Sequence, residues 1–346
     1  MRAYVTSRSL GSSRIEWTAL FFIFLTTLVG CTGGNGGRVD QGDEDPAVDS
    51  EVWDGDVVAA TRALRPQEGT DRDWEIFRAM AARAWEEGVD TIPIGEAMVR
   101  IALPLVGTPY GPGTLEVAGQ EDVVVNFQEF DCVTLVENVL ALARFTRSFG
   151  PEILQSEGRT REAYRGALRE IRYRNGRVDG YPSRLHYFSD WIRDNEAKGL
   201  VREVTQEMGG EQDHKAIDYM TTHHEAYRQL ANTTYLMAIQ QTEIRLSGLT
   251  RYKIPEADIA TWISWIEDGD IIAATSTVEG LDVAHTGLAY WQNSELHLLH
   301  APLVGEAVEV SSRPLAVRIL RLDGQDGIRV VRPLDPLEEG EGSQGQ

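Results

Sequence analysis

The chain has 346 residues, 42% of them hydrophobic, and a formal net charge of −21. That is enough for one large domain, or for a core carrying a substantial insertion. So acidic a chain lacks the basic footprint that nucleic-acid phosphates demand, which excludes nucleic acid as the expected partner.

In chain order, Arg8 and Arg14 precede an apolar run over residues 17–29. At roughly a dozen residues it is too short to span a bilayer comfortably and fits an export signal. The run closes on Leu28, Val29, Gly30 and Cys31, which resembles the bacterial lipoprotein signal, where cleavage falls before the cysteine and acyl chains are added to it. The resemblance implies a signal peptide over residues 1–30, lipidation at Cys31, and a stable membrane anchor, because more than one acyl chain holds where a single one does not. Ordinary secretion with a free cysteine is the alternative. Thr32, rather than Asp, follows the cysteine, and by the same resemblance this points to the outer membrane, facing the periplasm. Residues 31–55 are rich in glycine and acid without apolar periodicity and read as a flexible tether; residues 336–346 read as a disordered tail for the same reason. The folded domain is expected over residues 56–335.

Residues 71–87 place Trp74, Phe77, Met80, Ala81 and Trp85 at helical spacing, and a second helix is expected over residues 95–103. A turn-rich loop from Gly107 to Gly113 follows, then a short β-branched run at Val123, Val124 and Val125. Residues 125–138 are the most informative stretch. Val133, Leu135, Val136, Val139, Leu140 and Leu142 predict a helix, with Asp131 as its N-cap and Cys132 at its mouth. A thiol there feels the positive end of the helix dipole, which favours the nucleophilic thiolate. The chain has two cysteines. If Cys31 carries lipid, Cys132 has no disulfide partner, and an unpaired thiol in an oxidising compartment is a liability unless it reacts usefully. The competing reading is a buried structural cysteine.

Arginines then concentrate over residues 159–184. Arg161, Arg165, Arg169 and Arg172 share one helical face, and a solvated face balanced by acidic neighbours is the expectation for them. The loop over residues 180–191 packs aromatics among polar groups, as a sugar- or carboxylate-reading surface needs, and Arg184 in it can grip a carboxylate with two hydrogen bonds. A helix is expected over residues 189–198. The adjacent His223 and His224 lack a second ligand pair at metal spacing, so no metal is expected. Residues 233–246 read as a helix, whereas residues 208–262 as a whole show no recognisable motif.

From there the pattern turns to strands: residues 270–275, 283–291 and 296–300, with a turn at Gln292 to Glu295 and a last strand at residues 328–331 closing the sheet. Helices first and antiparallel strands afterwards give an α+β chain. His285 and His300 fall on consecutive strands of one hairpin. Gly287 and Ala289 leave room beside His285. A lone strand histidine is more often a satisfied core group, but two on one hairpin behind a helix-start thiol supply the base such a nucleophile needs and a group to orient it.

Four ordered segments, ending at Tyr110, Cys132, Gly287 and Ala301, resemble the NlpC superfamily of papain-like cell-wall cysteine hydrolases. The run from Val125 to Glu137 and the segment from Ser183 to Tyr187 resemble, more narrowly, its N-acetylmuramoyl-L-alanine amidase-like branch. The likeness covers roughly residues 90–335. It implies a papain-like core in which the nucleophile helix packs on an antiparallel sheet, with an inserted substrate-binding segment. It also implies Cys132 as nucleophile, His285 as general base and acid, and His300 as the orienting third member. His297 is the rival for that third role. Tyr110 is implied as the second oxyanion donor, and with it Asn126, Glu129, Asp131, Ser183, Arg184, His186 and Tyr187 as substrate-binding residues. The implied reaction, without cofactor, is hydrolysis of the amide between N-acetylmuramic acid and L-alanine in peptidoglycan fragments (muropeptides). Some members prefer the 1,6-anhydro sugar, which suits turnover or recycling. The alternatives are cleavage between D-glutamate and a diamino acid in the stem peptide, the superfamily's commoner activity, and an inert protein that only binds cell wall.

Overall fold

Thr70 and Asp73 start the first helix by exchanging hydrogen bonds. The Thr70 hydroxyl accepts from the Asp73 N–H at 3.2 Å, and the Asp73 carboxylate accepts from the Thr70 N–H at 2.8 Å, a capping box that satisfies two helix-end donors. The resulting helix, α1 (Asp71–Glu86), buries Trp74, Phe77, Ala81 and Ala84 along one stripe. The computed structural model describes residues 66–117, 119–303 and 306–336. The expected signal peptide, Cys31, the tether, the first residues of the domain and nearly all of the tail lie outside the described residues. No described helix is long and apolar enough to cross a membrane.

Helices α2 (Ile94–Ala102), α3 (Cys132–Ser148), α4 (Glu157–Arg172) and α5 (Phe188–Ala197) follow, α2 and α5 close to their expected bounds. Residues 123–125 form no strand. Val123 and Val125 are nonetheless buried, and the Val125 N–H donates to the Gln67 carbonyl at 2.9 Å. Helix α3 is buried on nearly every side. Leu135, Val136, Val139, Leu140, Leu142 and Ala143 are each at most 1% exposed, and α3 packs against α2, α4 and the sheet. Such a helix belongs inside the core, not on its surface. Truncating Leu140 to Ala there costs roughly 2–5 kcal/mol.

One expectation about α4 fails. Arg172 is 1% exposed and pairs with the equally buried Glu137 of α3 at 2.6 Å. Its Nη1 also donates to the Val124 carbonyl at 2.7 Å. Helical spacing showed which residues share a face, but not that another helix and the residue 121–125 segment cover the end of that face. Arg165 is half-buried, bridging to Asp122 at 2.8 Å.

The stretch without a motif supplies β1 (Val201–Glu203), β2 (Glu211–Asp213), α6 (Tyr219–Thr222), α7 (Thr233–Ser247), β3 (Arg251–Pro255) and α8 (Ile259–Trp262). Then come β4 (Ile271–Ser276), β5 (Val283–Gln292), β6 (Glu295–His300), β7 (Glu309–Val310), α9 (Leu315–Arg321) and β8 (Gln325–Pro333). The described strands form an eight-stranded sheet in the order β2-β3-β8-β4-β5-β6-β7, with β1 also pairing to β8 and every pairing antiparallel. Mixed helices with an antiparallel sheet make this an α+β fold, as expected. The last strand does not close the sheet, however. β8 lies between β3 and β4, where Ile328 and Val330 face one core and Val331 the other. A strand buried on both faces suits an interior place.

Side-chain alternation divides the cores. Ile271, Ala273, Leu288 and Leu299 meet the α1–α5 layer, whereas Ile272, Ala274, Ala289 and Leu298 meet Ile259, Leu315 and Ile319 of α8 and α9. A third cluster, built on Tyr181, Tyr187, Ile217, Met220, Ile239 and Leu246, joins the residue 180–187 loop to α6 and α7. The β5–β6 hairpin turns through Asn293 and Ser294, both with positive φ, 52° and 67°. Two such residues match the right-handed twist of the flanking strands.

Candidate active site

Asp131 caps α3 as the spacing predicted. Its carboxylate accepts from the Thr134 N–H at 2.7 Å, and its own N–H donates to the Thr134 hydroxyl at 2.9 Å. That fixes the first turn, of which Cys132 is the first residue. Cys132 is half-buried and outside any disulfide. The segment leading into it is held from α1: buried Asp73 accepts from the Phe127 N–H at 2.8 Å and from Gln128 Nε2 at 3.1 Å. From the other side, the Thr286 hydroxyl of β5 donates to the Cys132 carbonyl at 2.9 Å. Three elements thus set the position of one thiol.

The hairpin register explains why His285 and His300 meet. Leu288 pairs with Leu299, so one step further along the same register Gly287 stands opposite His300. His285, two residues from Gly287, then shares a face with His300. Gly287 has to be glycine, since a Cβ there would lie 2.8 Å from the His300 Cβ. The two rings cross edge to face, with His285 Nε2 2.7 Å from His300 Nδ1. Burial, the neighbouring His300 and Arg318 hold His285 well below the ordinary histidine value, and burial with Arg318 does the same to His300. Burial thus favours the neutral form of both rings, in which one nitrogen donates and the other accepts. His297 is placed elsewhere: it pairs across to Tyr290, and its Nδ1 meets the Ser311 carbonyl at 2.7 Å.

Cys132 and His285 line one cavity of about 220 Å³, together with Tyr110, Asp131, Arg184, His186 and Tyr187. Asn126, Glu129 and Ser183 are not on its wall. Asn126 Oδ1 accepts from the Gln128 N–H at 3.0 Å, which shapes the approach to α3. Glu129 packs against Gly111, where a Cβ would lie 2.7 Å from its carboxylate. The Ser183 hydroxyl donates to the Gly180 carbonyl at 2.7 Å, closing a turn.

Arg184 reaches the cavity but is already engaged. It donates to the Leu115 carbonyl at 2.7 Å, pairs with Glu116, and lies 3.6 Å from Glu121. Its guanidinium thus holds the segment that follows the turn-rich loop carrying Tyr110. Half-buried His186 shares a 2.9 Å hydrogen bond with the Tyr181 carbonyl, and desolvation of its ring together with Arg184 pushes it well below the usual histidine value. Tyr187 donates to Glu243 at 2.6 Å and accepts from the Met220 N–H at 2.8 Å, tying the loop to α7 and α6.

Sequence reading missed several contributors. Tyr219, Met220 and Tyr227 form a cavity wall from the stretch that showed no motif. Thr286 sits between His285 and Gly287, so the alternation of the strand could have marked it as facing the cysteine helix. Glu137 and Arg172 also border the cavity. No signal in α4 alone could have placed Arg172 there. Among the described residues, no His, Cys, Asp and Glu group is arranged to hold a metal ion.

The AmiA-like, N-acetylmuramoyl-L-alanine amidase-like family model matches residues 100–324. A crystal structure of a Bacteroides uniformis N-acetylmuramoyl-L-alanine amidase is 38% identical, with a TM-score of 0.64, covering 70% of this chain and 99% of that one. A Bacteroides fragilis structure described as a putative xylanase is 39% identical, with a TM-score of 0.62, covering 67% and 98%. A Legionella pneumophila protein at 21% identity and a TM-score of 0.52 shares the fold over 76% of this chain. No curated protein sequence matches the chain.

Proposed function

The chain belongs to the AmiA-like, N-acetylmuramoyl-L-alanine amidase-like family, and from that premise we propose that it is a papain-like cysteine hydrolase of the NlpC type. Its proposed reaction cleaves the amide between the lactyl carboxyl of N-acetylmuramic acid and L-alanine in muropeptides. The observation that carries this reading is the 2.7 Å contact of His285 Nε2 with His300 Nδ1, beside a cavity that His285 shares with the helix-start thiol of Cys132.

The chemistry follows from the tautomers. With Nε2 of His285 donating to His300, Nδ1 keeps its lone pair and takes the Cys132 proton. The thiolate attacks the lactyl carbonyl, and a C–S bond forms as the carbonyl π electrons move to oxygen. The Cys132 N–H, at the start of the helix, is the proposed first donor to that oxyanion. Tyr110, on the cavity wall, is the proposed second donor. Collapse breaks the C–N bond, and His285 returns its proton to the alanine amine. Water, deprotonated by His285, then hydrolyses the thioester and restores the thiol.

The proposed setting is an exported protein, anchored through lipid on Cys31 to the outer membrane and acting on cell-wall fragments during turnover or recycling. A sugar in the 1,6-anhydro form is the proposed preference. The test is product mass after incubation with a defined muropeptide. Free muramic acid sugar plus an intact stem peptide beginning at L-alanine supports the amidase. A sugar still bearing L-alanine and D-glutamate rejects it in favour of stem-peptide cleavage, and unchanged substrate favours an inert cell-wall binder. Membrane fractionation of cells carrying Cys31→Ser tests the anchor, since loss of the protein from the membrane fraction is expected.

A further inference from the structure

His300 is 1% exposed, and its Nε2 has no hydrogen-bond partner among the described residues. A buried imidazole nitrogen left in that state is destabilising, so a nearby acceptor able to engage it stabilises the site. The β6–β7 register sets Glu309 directly opposite His300, and Glu309 Oε1 lies 3.5 Å from His300 Nε2. That is ion-pair range, and a movement of about half an ångström makes it a hydrogen bond.

Building on the proposed cysteine mechanism, we propose that Glu309 is its fourth, positioning member, acting through His300 on the His285–Cys132 pair. The tautomers are consistent along the whole line. The Glu309 carboxylate accepts from His300 Nε2–H, His300 Nδ1 accepts from His285 Nε2–H, and His285 Nδ1 is left as the base. When His285 takes the cysteine proton, its positive charge is spread towards a carboxylate instead of standing alone in an apolar interior. Among the described residues, His285 from β5, Glu309 from β7 and Arg318 from α9 act on His300. Arg318 opposes the imidazolium, so Glu309 offsets a charge the fold itself brings near. Glu309 retains about half its exposure, so it sits where the buried pair meets solvent, and burial raises its carboxyl against the pull of Arg318.

The test reads the thiol without using any cell-wall substrate. Alkylation of Cys132 by iodoacetamide is followed against pH by mass spectrometry of the Cys132 peptide in the full-length protein. Glu309→Gln is expected to move the acid midpoint of alkylation up by about half a unit to one unit, and Glu309→Lys further. Arg318→Gln is expected to move it down. In a His300→Gln background Glu309→Gln is expected to add no further shift, because the connecting ring is gone. On muropeptide, Glu309→Gln is expected to lower kcat about tenfold with KM unchanged, since Glu309 does not touch the substrate. Unchanged midpoints in Glu309→Gln and Glu309→Lys, or an equal shift without His300, would overturn the proposal. A shifted midpoint in a protein that cleaves no muropeptide keeps the relay and rejects the substrate. Normal muropeptide cleavage with unmoved midpoints does the reverse.

Discussion

The Thr286 hydroxyl donates to the Cys132 carbonyl across 2.9 Å, which ties the strand carrying His285 to the first residue of the cysteine helix. The proposed nucleophile, Cys132, and the proposed base, His285, come from elements 153 positions apart in the chain, and this hydrogen bond is a direct tie between them. Thr286→Val keeps the shape and removes the donor. It is expected to lower kcat about ten- to hundredfold, because misplacements near an ångström carry losses of that order. Unfolding free energy is expected to fall by only about 1 kcal/mol. Steady-state kinetics beside urea denaturation separates the two effects, and Thr286→Ser is expected to restore activity.

Gly287 lets the two histidines approach. A methyl group there meets the His300 Cβ at 2.8 Å and the Leu298 side chain at 2.9 Å, and neither has room to retreat in a closely packed sheet. Gly287→Ala is expected to cost about 1–3 kcal/mol in stability and to abolish measurable turnover. Denaturation midpoints together with activity at a temperature where the variant stays folded check both parts.

Glu137 and Arg172 form a buried pair with side-chain exposures of 2% and 1%. Burial raises the Glu137 carboxyl and Arg172 counters it. Removing one member strands the other charge, so Arg172→Met alone is expected to cost about 3–5 kcal/mol. Glu137→Leu combined with Arg172→Met is expected to cost less than the sum of the single changes, because no buried charge remains. A double-mutant cycle by chemical denaturation measures this. Equal additivity would show that the pair is not coupled.

Asp73 links stability to pH. Burial raises its carboxyl, but hydrogen bonds from Phe127, Thr70 and Gln128 outweigh that and hold it below its ordinary value of 3.8. A carboxyl depressed on folding stabilises at pH above its unfolded value, and the benefit disappears as pH falls through the folded value. Asp73→Ala is therefore expected to cost about 2–3 kcal/mol at pH 7. The gap from the parent protein should shrink only below about pH 4. Denaturation curves from pH 7 down to pH 3 test the sign, and a gap that widens with acid contradicts it.

Much of the candidate site's local geometry could be read before folding because its signals are local. Asp131 and Thr134 are three residues apart and form a helix start by themselves. Asn293 and Ser294 make a two-residue turn whose geometry follows from residue type, and that turn fixes the register that brings His300 to His285. What could not be read depends on partners far along the chain. Arg172 looked solvent-facing because Glu137 and the Val124 carbonyl are not in its helix. Arg184 looked available for substrate because Glu116 and Glu121 lie in a loop some sixty residues earlier. β8 looked like a closing strand because sequence order does not give sheet order. The wall made by Tyr219, Met220 and Tyr227 belongs to a segment whose periodicity is too short to register, and it is held in place through the Tyr187–Glu243 hydrogen bond.

The central proposal is a thioester between the muramic acid lactyl group and Cys132, and it can be captured directly. The full-length protein is mixed with a defined muropeptide, quenched in acid within the first turnovers, digested, and its peptides mapped by mass. The expected result is a Cys132 peptide heavier by the N-acetylmuramyl acyl group, absent from a reaction with Cys132→Ala. An adduct that also carries L-alanine and D-glutamate, or full turnover by Cys132→Ala, would contradict it.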